Sequence, residues 1–183
     1  MKKNVNFKKI LHACEHIVRE MGLEIHYTHN LDSFYKGDLD GKRIFIGDHL
    51  APDEKLFNLL HLSGHSIQWN VDDLLRNLGS ELYLHPDDKL LKRLQTYEWQ
   101  ANCYALSILH QVENKKLDKW MTKKYVTDML YLTHFYKTGQ KLKRITKIAK
   151  AYPFKRDLKP LPIPHFTPTA GHRTRNGLVI SFN

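Results

Sequence analysis

Two histidines spaced four residues apart carry the clearest chemical signal in this chain. They belong to the run His61-Leu-Ser-Gly-His65, and side chains at this spacing lie on one face of a helix. Both imidazole rings can therefore reach a single metal ion. In metallopeptidases with an H-E-x-x-H motif, the residue after the first histidine is a glutamate that acts as general base. Here that residue is Leu62, so the sequence predicts metal ligands without the group that activates water.

The residues around the two histidines predict a buried helix. The segment from Pro52 to about Trp69 is apolar nearly all round, as expected for a helix surrounded by other elements. Imidazole groups buried there need partners, because each unpaired polar group costs on the order of 1–3 kcal/mol. A metal ion, a carbonyl group or a carboxylate would serve. Gly64 costs a helix about 1 kcal/mol relative to alanine, which predicts that another backbone segment passes close to this turn.

A third ligand is available on a later predicted helix, which runs from about residue 86 to 112. Glu98 shares a helical face with the small residues Ala101 and Ala105, which favours burial of the carboxylate and close approach of a neighbouring helix. The alternative is an ordinary exposed helix acid. Asn102, one turn beyond Glu98, is suited to bond a backbone group or to orient the carboxylate. Two histidines and one glutamate with a fourth position open form the ligand set of a catalytic-type zinc site.

Three blocks of the sequence together resemble the ImmA/IrrE family of metallopeptidases. They are Ile44-Phe-Ile-Gly47, the segment Glu54–His65, and Glu98-Trp-Gln-Ala-Asn-Cys-Tyr-Ala105. The family pattern is a strand, a helix with H-E-L-G-H and a later helix with E-x-x-A-N-x-F-A. The resemblance covers about residues 7–112.

This resemblance implies a zincin-like α+β fold, mostly helical with a small β-sheet, in a domain of about residues 1–136. It implies one zinc ion held by His61, His65 and Glu98, and a regulatory role on a protein partner of the helix-turn-helix repressor type. Leu62 departs from the pattern, and general acid–base catalysis typically contributes 10²–10⁴-fold, so we expect cleavage to be absent or weak. The alternative is a substitute base from the segment between the motifs, where Asp72, Asp73 and Glu81 are the candidates.

The net charge is confined to the C-terminal quarter. Residues 1–136 hold 18 Lys/Arg and 18 Asp/Glu, whereas residues 137–183 hold 11 Lys/Arg and one acid. Residues 141–152 are expected to form a basic amphipathic helix that binds nucleic acid, an acidic partner or a membrane surface, or that only keeps the protein soluble. A rival function follows, a nucleic-acid-associated regulator with the zincin core as scaffold. The cations concerned are Lys141, Lys143, Arg144, Lys147 and Lys150.

The proline-rich run 153–168 is expected to be extended. A further hypothesis is that Pro162–Pro168 folds back into the substrate groove as an autoinhibitory strand, with His165 at the open metal position. Further predictions are helices at 7–21, 72–78 and 114–138, strands at 23–27 and 42–46, and a turn at 38–41. A basic, proline-containing tail, 137–183, thus follows the domain.

Other side chains of the sequence are also potential ligands. His12 and His16 form a second pair at the same spacing, but together with Glu15 they fall on the polar side of the first helix. Cys103 points away from Glu98, so a core role is expected, and His49 is either a site residue or a cap. Two cysteines, no signal peptide and no apolar run of membrane-spanning length indicate the cytoplasm.

Overall fold

The computed structural model describes residues 5–29, 31, 36–79, 83–112, 115–140, 154–155 and 157–171. The helices are α1 (Phe7–Glu20), α2 (Pro52–Val71), α3 (Asp73–Gly79), α4 (Asp88–Gln111) and α5 (Asp118–Thr138). The strands are β1 (Glu24–Thr28), β2 (Gly37–Leu39) and β3 (Arg43–Gly47), and a short 3-10 helix, Lys115–Leu117, precedes α5. The prediction of a mostly helical α+β protein with a small sheet is confirmed.

Capping residues account for the ends of the helices. The Asn6 side chain accepts a hydrogen bond from the Lys9 amide at the start of α1, and Asp87 caps α4 in the same way. Such caps satisfy amides that have no partner within the helix. Gly22 follows α1 with φ +83° and Gly139 follows α5 with φ +67°, a left-handed conformation that favours glycine. The predicted helix ends at these two glycines are confirmed.

The three strands form one sheet in the order β1-β3-β2. β1 pairs with β3 in parallel, and β2 pairs with β3 in antiparallel orientation. Strand β2 was not predicted, because Asp38 and Leu39 were assigned to a turn. The reversal lies instead around Gly41, with φ +95°, where the buried Asp40 carboxylate accepts hydrogen bonds from the amides that follow. The turn prediction is confirmed for Asp40 and Gly41 and was wrong for Asp38 and Leu39, which belong to β2.

Helix α2 forms the centre of the fold. Every residue from Leu56 to Trp69 is buried, because α1, α4 and the sheet all pack against this helix. The sequence predicted this burial from an apolar surface that continues around the helix. Among the helices that the structure describes, the two histidines therefore belong to the one with the longest unbroken run of buried residues.

The C-terminal segment, residues 157–171, has neither helix nor strand. It contacts α4 near its start, and near its end the Thr169 amide donates to the Asn70 side chain of α2 at 2.8 Å. The Asp157 carbonyl of the segment accepts a hydrogen bond from the Trp99 indole at 2.9 Å, and its Leu161 carbonyl accepts one from the Ser107 hydroxyl at 2.6 Å. This face of α4 is turned away from Glu98. His165 is exposed here, so the hypothesis that it reaches the metal is wrong.

The predicted basic amphipathic helix, 141–152, and its five cations lie outside the described residues. Among the helices that the structure describes, none combines the length and apolarity needed to cross a membrane.

Candidate metal centre

The site forms where α2 and α4 come into backbone contact. A Cβ atom placed on Gly64 would lie 2.1 Å from the Ala101 carbonyl oxygen, so only glycine fits there. Ala101, which is fully buried, provides the small surface on the opposite helix. The sequence prediction that Gly64 marks a close backbone approach is confirmed. This contact brings the side chains on either side of it, from both helices, close together.

Three ligand atoms converge beside this contact. The Nε2 atoms of His61 and His65 are 3.2 Å apart, and they lie 3.5 Å and 3.2 Å from Oε2 of Glu98. Ligand atoms around a tetrahedral ion, with bonds of about 2.0–2.1 Å, would be separated by about 3.3 Å. The observed triangle therefore has the size that one such ion requires. All three residues are buried, with side chains no more than 6% exposed.

The protonation of the site suits metal binding, which needs neutral imidazole and ionised carboxylate. Burial, together with the nearby His65, lowers the pKa of His61 to about 3, so its ring is neutral at pH 7. Burial alone would raise the pKa of Glu98, but its interactions with His65 and His61 outweigh that effect and lower the pKa. Neutral imidazole and negative carboxylate are therefore the states that this packing favours.

Gln68 fixes the orientation and tautomer of His65. Its amide nitrogen donates to the Tyr97 carbonyl at 2.9 Å and to Oε1 of Gln100 at 3.1 Å. Its oxygen is consequently turned toward Nδ1 of His65, 2.9 Å away. Nδ1 must then carry the proton, which leaves the Nε2 lone pair directed at the other two ligand atoms. Such outer partners commonly set the tautomer of metal-binding histidines.

Asn102 contacts the other imidazole ring, that of His61. Its amide nitrogen donates to the Glu98 carbonyl oxygen at 2.9 Å and lies 3.0 Å from Nδ1 of His61. Because a carbonyl oxygen only accepts hydrogen bonds, the amide nitrogen and not the amide oxygen faces Nδ1, which accepts from it. A neutral His61 ring therefore carries its proton on Nε2 here, and metal binding through Nε2 requires that proton to move to Nδ1 and the Asn102 amide to turn. Of the two roles predicted for Asn102, the bond to a backbone group is confirmed, since its amide donates to the Glu98 carbonyl oxygen; its contact with the His61 imidazole was not predicted.

Leu62 faces the sheet and not solvent. It is 1% exposed, and its Cδ1 atom lies so close to β2 that a Cβ on Gly37 would be 2.6 Å away. Leu62 therefore fills the space between α2 and β2, beside the histidines. An apolar side chain at this point can neither accept nor deliver a proton.

The candidate replacement bases do not reach the metal centre. The Asp72 carboxylate accepts a hydrogen bond from the Leu74 amide at 2.7 Å, and Asp73 is 80% exposed and pairs with Arg76. Both lie at the C-terminal end of α2, well beyond the two histidines. Glu81 is outside the described residues. Of the candidates weighed from the sequence, no described one supplies a base.

The other histidines that were weighed lie elsewhere. His12 and His16 have side chains 87% and 73% exposed, as predicted, but the prediction for Glu15 was wrong. Glu15 is buried because the Tyr27 hydroxyl from β1 donates to its carboxylate. His49 is exposed and α2 begins at Pro52 after Ala51, so His49 is not its cap. Among described residues, only the group of His61, His65 and Glu98 has ligand atoms close enough for one ion.

Asp128 is a residue near the site that the sequence did not single out. It lies on α5, and burial raises its pKa to about 8, with a further increase from the Glu98 charge and an opposing effect from Lys36. The Asp128 carboxyl group therefore interacts electrostatically with Glu98 from a third helix. The sequence around Asp128 does not indicate its position near Glu98, because that position depends on how α5 packs against the other helices.

Comparison of the chain with family models, with curated proteins and with solved structures finds no match. The chemical interpretation therefore depends on the arrangement of these side chains.

Proposed function

We propose that this protein is a zinc-binding regulatory protein of the ImmA/IrrE type with a zincin-like fold. It acts in the cytoplasm on a protein partner of the helix-turn-helix repressor class, with peptide hydrolysis absent or weak. One observation supports this proposal most strongly. His61, His65 and Glu98 converge at metal-binding distances, while the neighbouring position that would hold a general base is occupied by the buried Leu62.

In this proposal the residues of the site have the following roles. His61, His65 and Glu98 would hold the zinc ion, and zinc in such a site polarises a carbonyl group and lowers the pKa of water. Gln68 and Asn102 hold the two imidazole rings in position. Leu62 has no atom that can take a proton from the attacking water or pass it to the leaving amine. Binding of the partner would thus persist while bond cleavage is slow.

A derepression assay tests this function. The protein is co-expressed with a panel of helix-turn-helix repressors, each of which controls a fluorescent reporter. We expect the wild-type protein to raise reporter expression for at least one repressor, which remains full-length on an immunoblot. The double variant His61→Ala/His65→Ala should lose this effect because the zinc site is lost.

The exposed pair His12 and His16 provides a matched control. His12→Ala/His16→Ala removes the same side chains at the same spacing, from a surface position, and should retain full derepression. Derepression that survives loss of His61 and His65 in the folded protein would contradict a role for the metal centre.

The charge distribution favours a second candidate, a nucleic-acid-associated regulator. All the excess positive charge lies in residues 137–183, and binding through such a segment releases counterions and weakens steeply with salt. We expect truncation after Gly139 to abolish any such binding in an electrophoretic mobility assay with duplex DNA and single-stranded RNA. Absent or salt-insensitive binding by the full chain would exclude this candidate.

A further inference from the structure

The groove between α3 and α4 plays no part in the proposed function. Its cavity is about 410 Å³, within the range of about 300–1,000 Å³ for binding pockets. The apolar side is formed by Leu74, Leu75 and Leu78 of α3. Leu74 is 71% exposed, more than any other large apolar side chain among the described residues. An exposed apolar surface of this kind, rimmed by polar residues, is typical of an interaction site.

The opposite rim of the groove is positively charged. Lys89, Lys92 and Arg93 of α4 line it, and all three are exposed. Within the part of the chain that the structure describes, none of the three has an acidic partner, unlike Arg76 and Lys137, which pair with Asp73 and Asp88. The groove therefore presents leucines on one side and unpaired cations on the other.

This combination selects the class of ligand. An apolar groove between two helices accommodates the apolar face of a third helix, and unpaired cations on its rim favour carboxylates on that helix. The chain's own C-terminal quarter is a poor occupant, because residues 137–183 carry 11 basic residues and one acid. Charge complementarity therefore points to a separate, acidic partner.

We propose that the α3–α4 groove binds an acidic amphipathic helix of a partner protein. Leucine-type side chains of that helix enter the cavity between Leu74 and Leu78, and its carboxylates pair with Lys89, Lys92 and Arg93. The proposal goes beyond the proposed function, because this surface needs neither zinc nor a general base.

The groove nevertheless shares a wall with the metal centre. Tyr97 and Gln100 line the groove. The Tyr97 ring also packs against the His65 ring, with ring centroids 4.5 Å apart. Gln100 accepts a hydrogen bond from Gln68, which orients His65. A helix seated in the groove would thus lie one layer of side chains from a metal ligand.

A peptide titration tests this proposal. The probe is a fluorescently labelled helix of about 15 residues, the length at which an isolated helix begins to be stable, with leucines on one face and glutamates beside them. The control probe has lysine in place of every glutamate. We expect fluorescence anisotropy to detect binding of the glutamate peptide, weakening with added salt, and no binding of the lysine peptide.

Variants of the rim assign the binding to the groove. Lys89→Glu/Arg93→Glu should weaken binding of the glutamate peptide by about tenfold or more, which corresponds to about 1.4 kcal/mol, because two attractive charges become repulsive. The same variant should create binding of the lysine peptide. Leu74→Gln should weaken binding without unfolding, because Leu74 is mostly exposed. Lys119→Glu, at an exposed position of α5, is the matched control and should change little.

Several outcomes would overturn the proposal. These are failure of the glutamate peptide to bind at millimolar concentration, equal binding of both peptides, or equal weakening by Lys119→Glu and the rim variant. Binding to phosphatidylglycerol vesicles without binding to the peptide would assign the groove to membranes instead.

Discussion

Replacing Leu62 by glutamate is expected to raise hydrolysis of a bound repressor by roughly 10²–10⁴-fold, the typical contribution of general acid–base catalysis. Leu62 lies beside the two histidines, between α2 and β2. A carboxylate there would accept the proton of the attacking water and deliver it to the leaving amine. The measurement is the rate at which the zinc-loaded variant cleaves a repressor identified by the derepression assay.

Leu62→Gln is the control, because glutamine has nearly the same shape as glutamate and cannot act as the base. Circular dichroism and zinc content must first show that both variants fold and bind the metal. If a folded, zinc-loaded Leu62→Glu protein then cleaves no faster than the glutamine variant, the missing base is not what limits catalysis.

Replacing Gly64 by alanine is expected to destabilise the protein by about 1–3 kcal/mol or more, the usual cost of adding atoms to a packed core. Replacing an exposed glycine within a helix by alanine would instead stabilise the protein by about 1 kcal/mol. The cost arises because the new Cβ would meet the Ala101 carbonyl oxygen at 2.1 Å, which forces α2 and α4 apart. Urea unfolding of the metal-free protein measures this change in the free energy of unfolding.

Separation of the two helices should also weaken zinc binding, since His61 and His65 lie on α2 and Glu98 on α4. Gly139→Ala is the matched control: it introduces the same methyl group at φ +67° with no atom within 4 Å. It should cost some stability through backbone strain and leave zinc affinity unchanged. A Gly64→Ala protein as stable as the wild type would contradict the close packing of the helices.

The sequence was most informative where the chemistry depends on the periodicity of one helix. His61 and His65 follow from the spacing within α2, and the burial of that helix follows from its apolar surface. Gly64 even predicted the close approach of a second backbone. The burial of Glu98 was predicted from the helical face that it shares with Ala101 and Ala105. The family resemblance then indicated that it lies near the two histidines.

Features that depend on packing between distant segments could not be predicted in this way. The pKa of Asp128 is raised first by burial and then by the Glu98 charge, and both effects arise only when α5 packs onto the rest of the protein. Glu15 falls on the polar side of α1 by periodicity, yet the Tyr27 hydroxyl covers it. The α3–α4 groove likewise depends on how two helices pack, so it could not be predicted from the sequence of either helix alone.

The short strand β2 shows a different limit. Its three residues include Asp38 and a glycine, which locally favour a turn, and only pairing with β3 makes this segment a strand. Its position affects the candidate site, because Gly37 of β2 contacts Leu62. The surroundings of Leu62 are therefore set by an element with no strong local signal.

The zinc content of the purified protein tests the central claim most directly. After removal of metal and titration with zinc against a competing chelator, elemental analysis should find one tightly bound zinc ion per wild-type chain. His61→Ala and Glu98→Gln should each lose that ion, whereas His49→Ala, an exposed histidine outside the cluster, should keep it. Less than one equivalent in the wild type, or zinc binding unchanged in the His61 and Glu98 variants, would contradict the account.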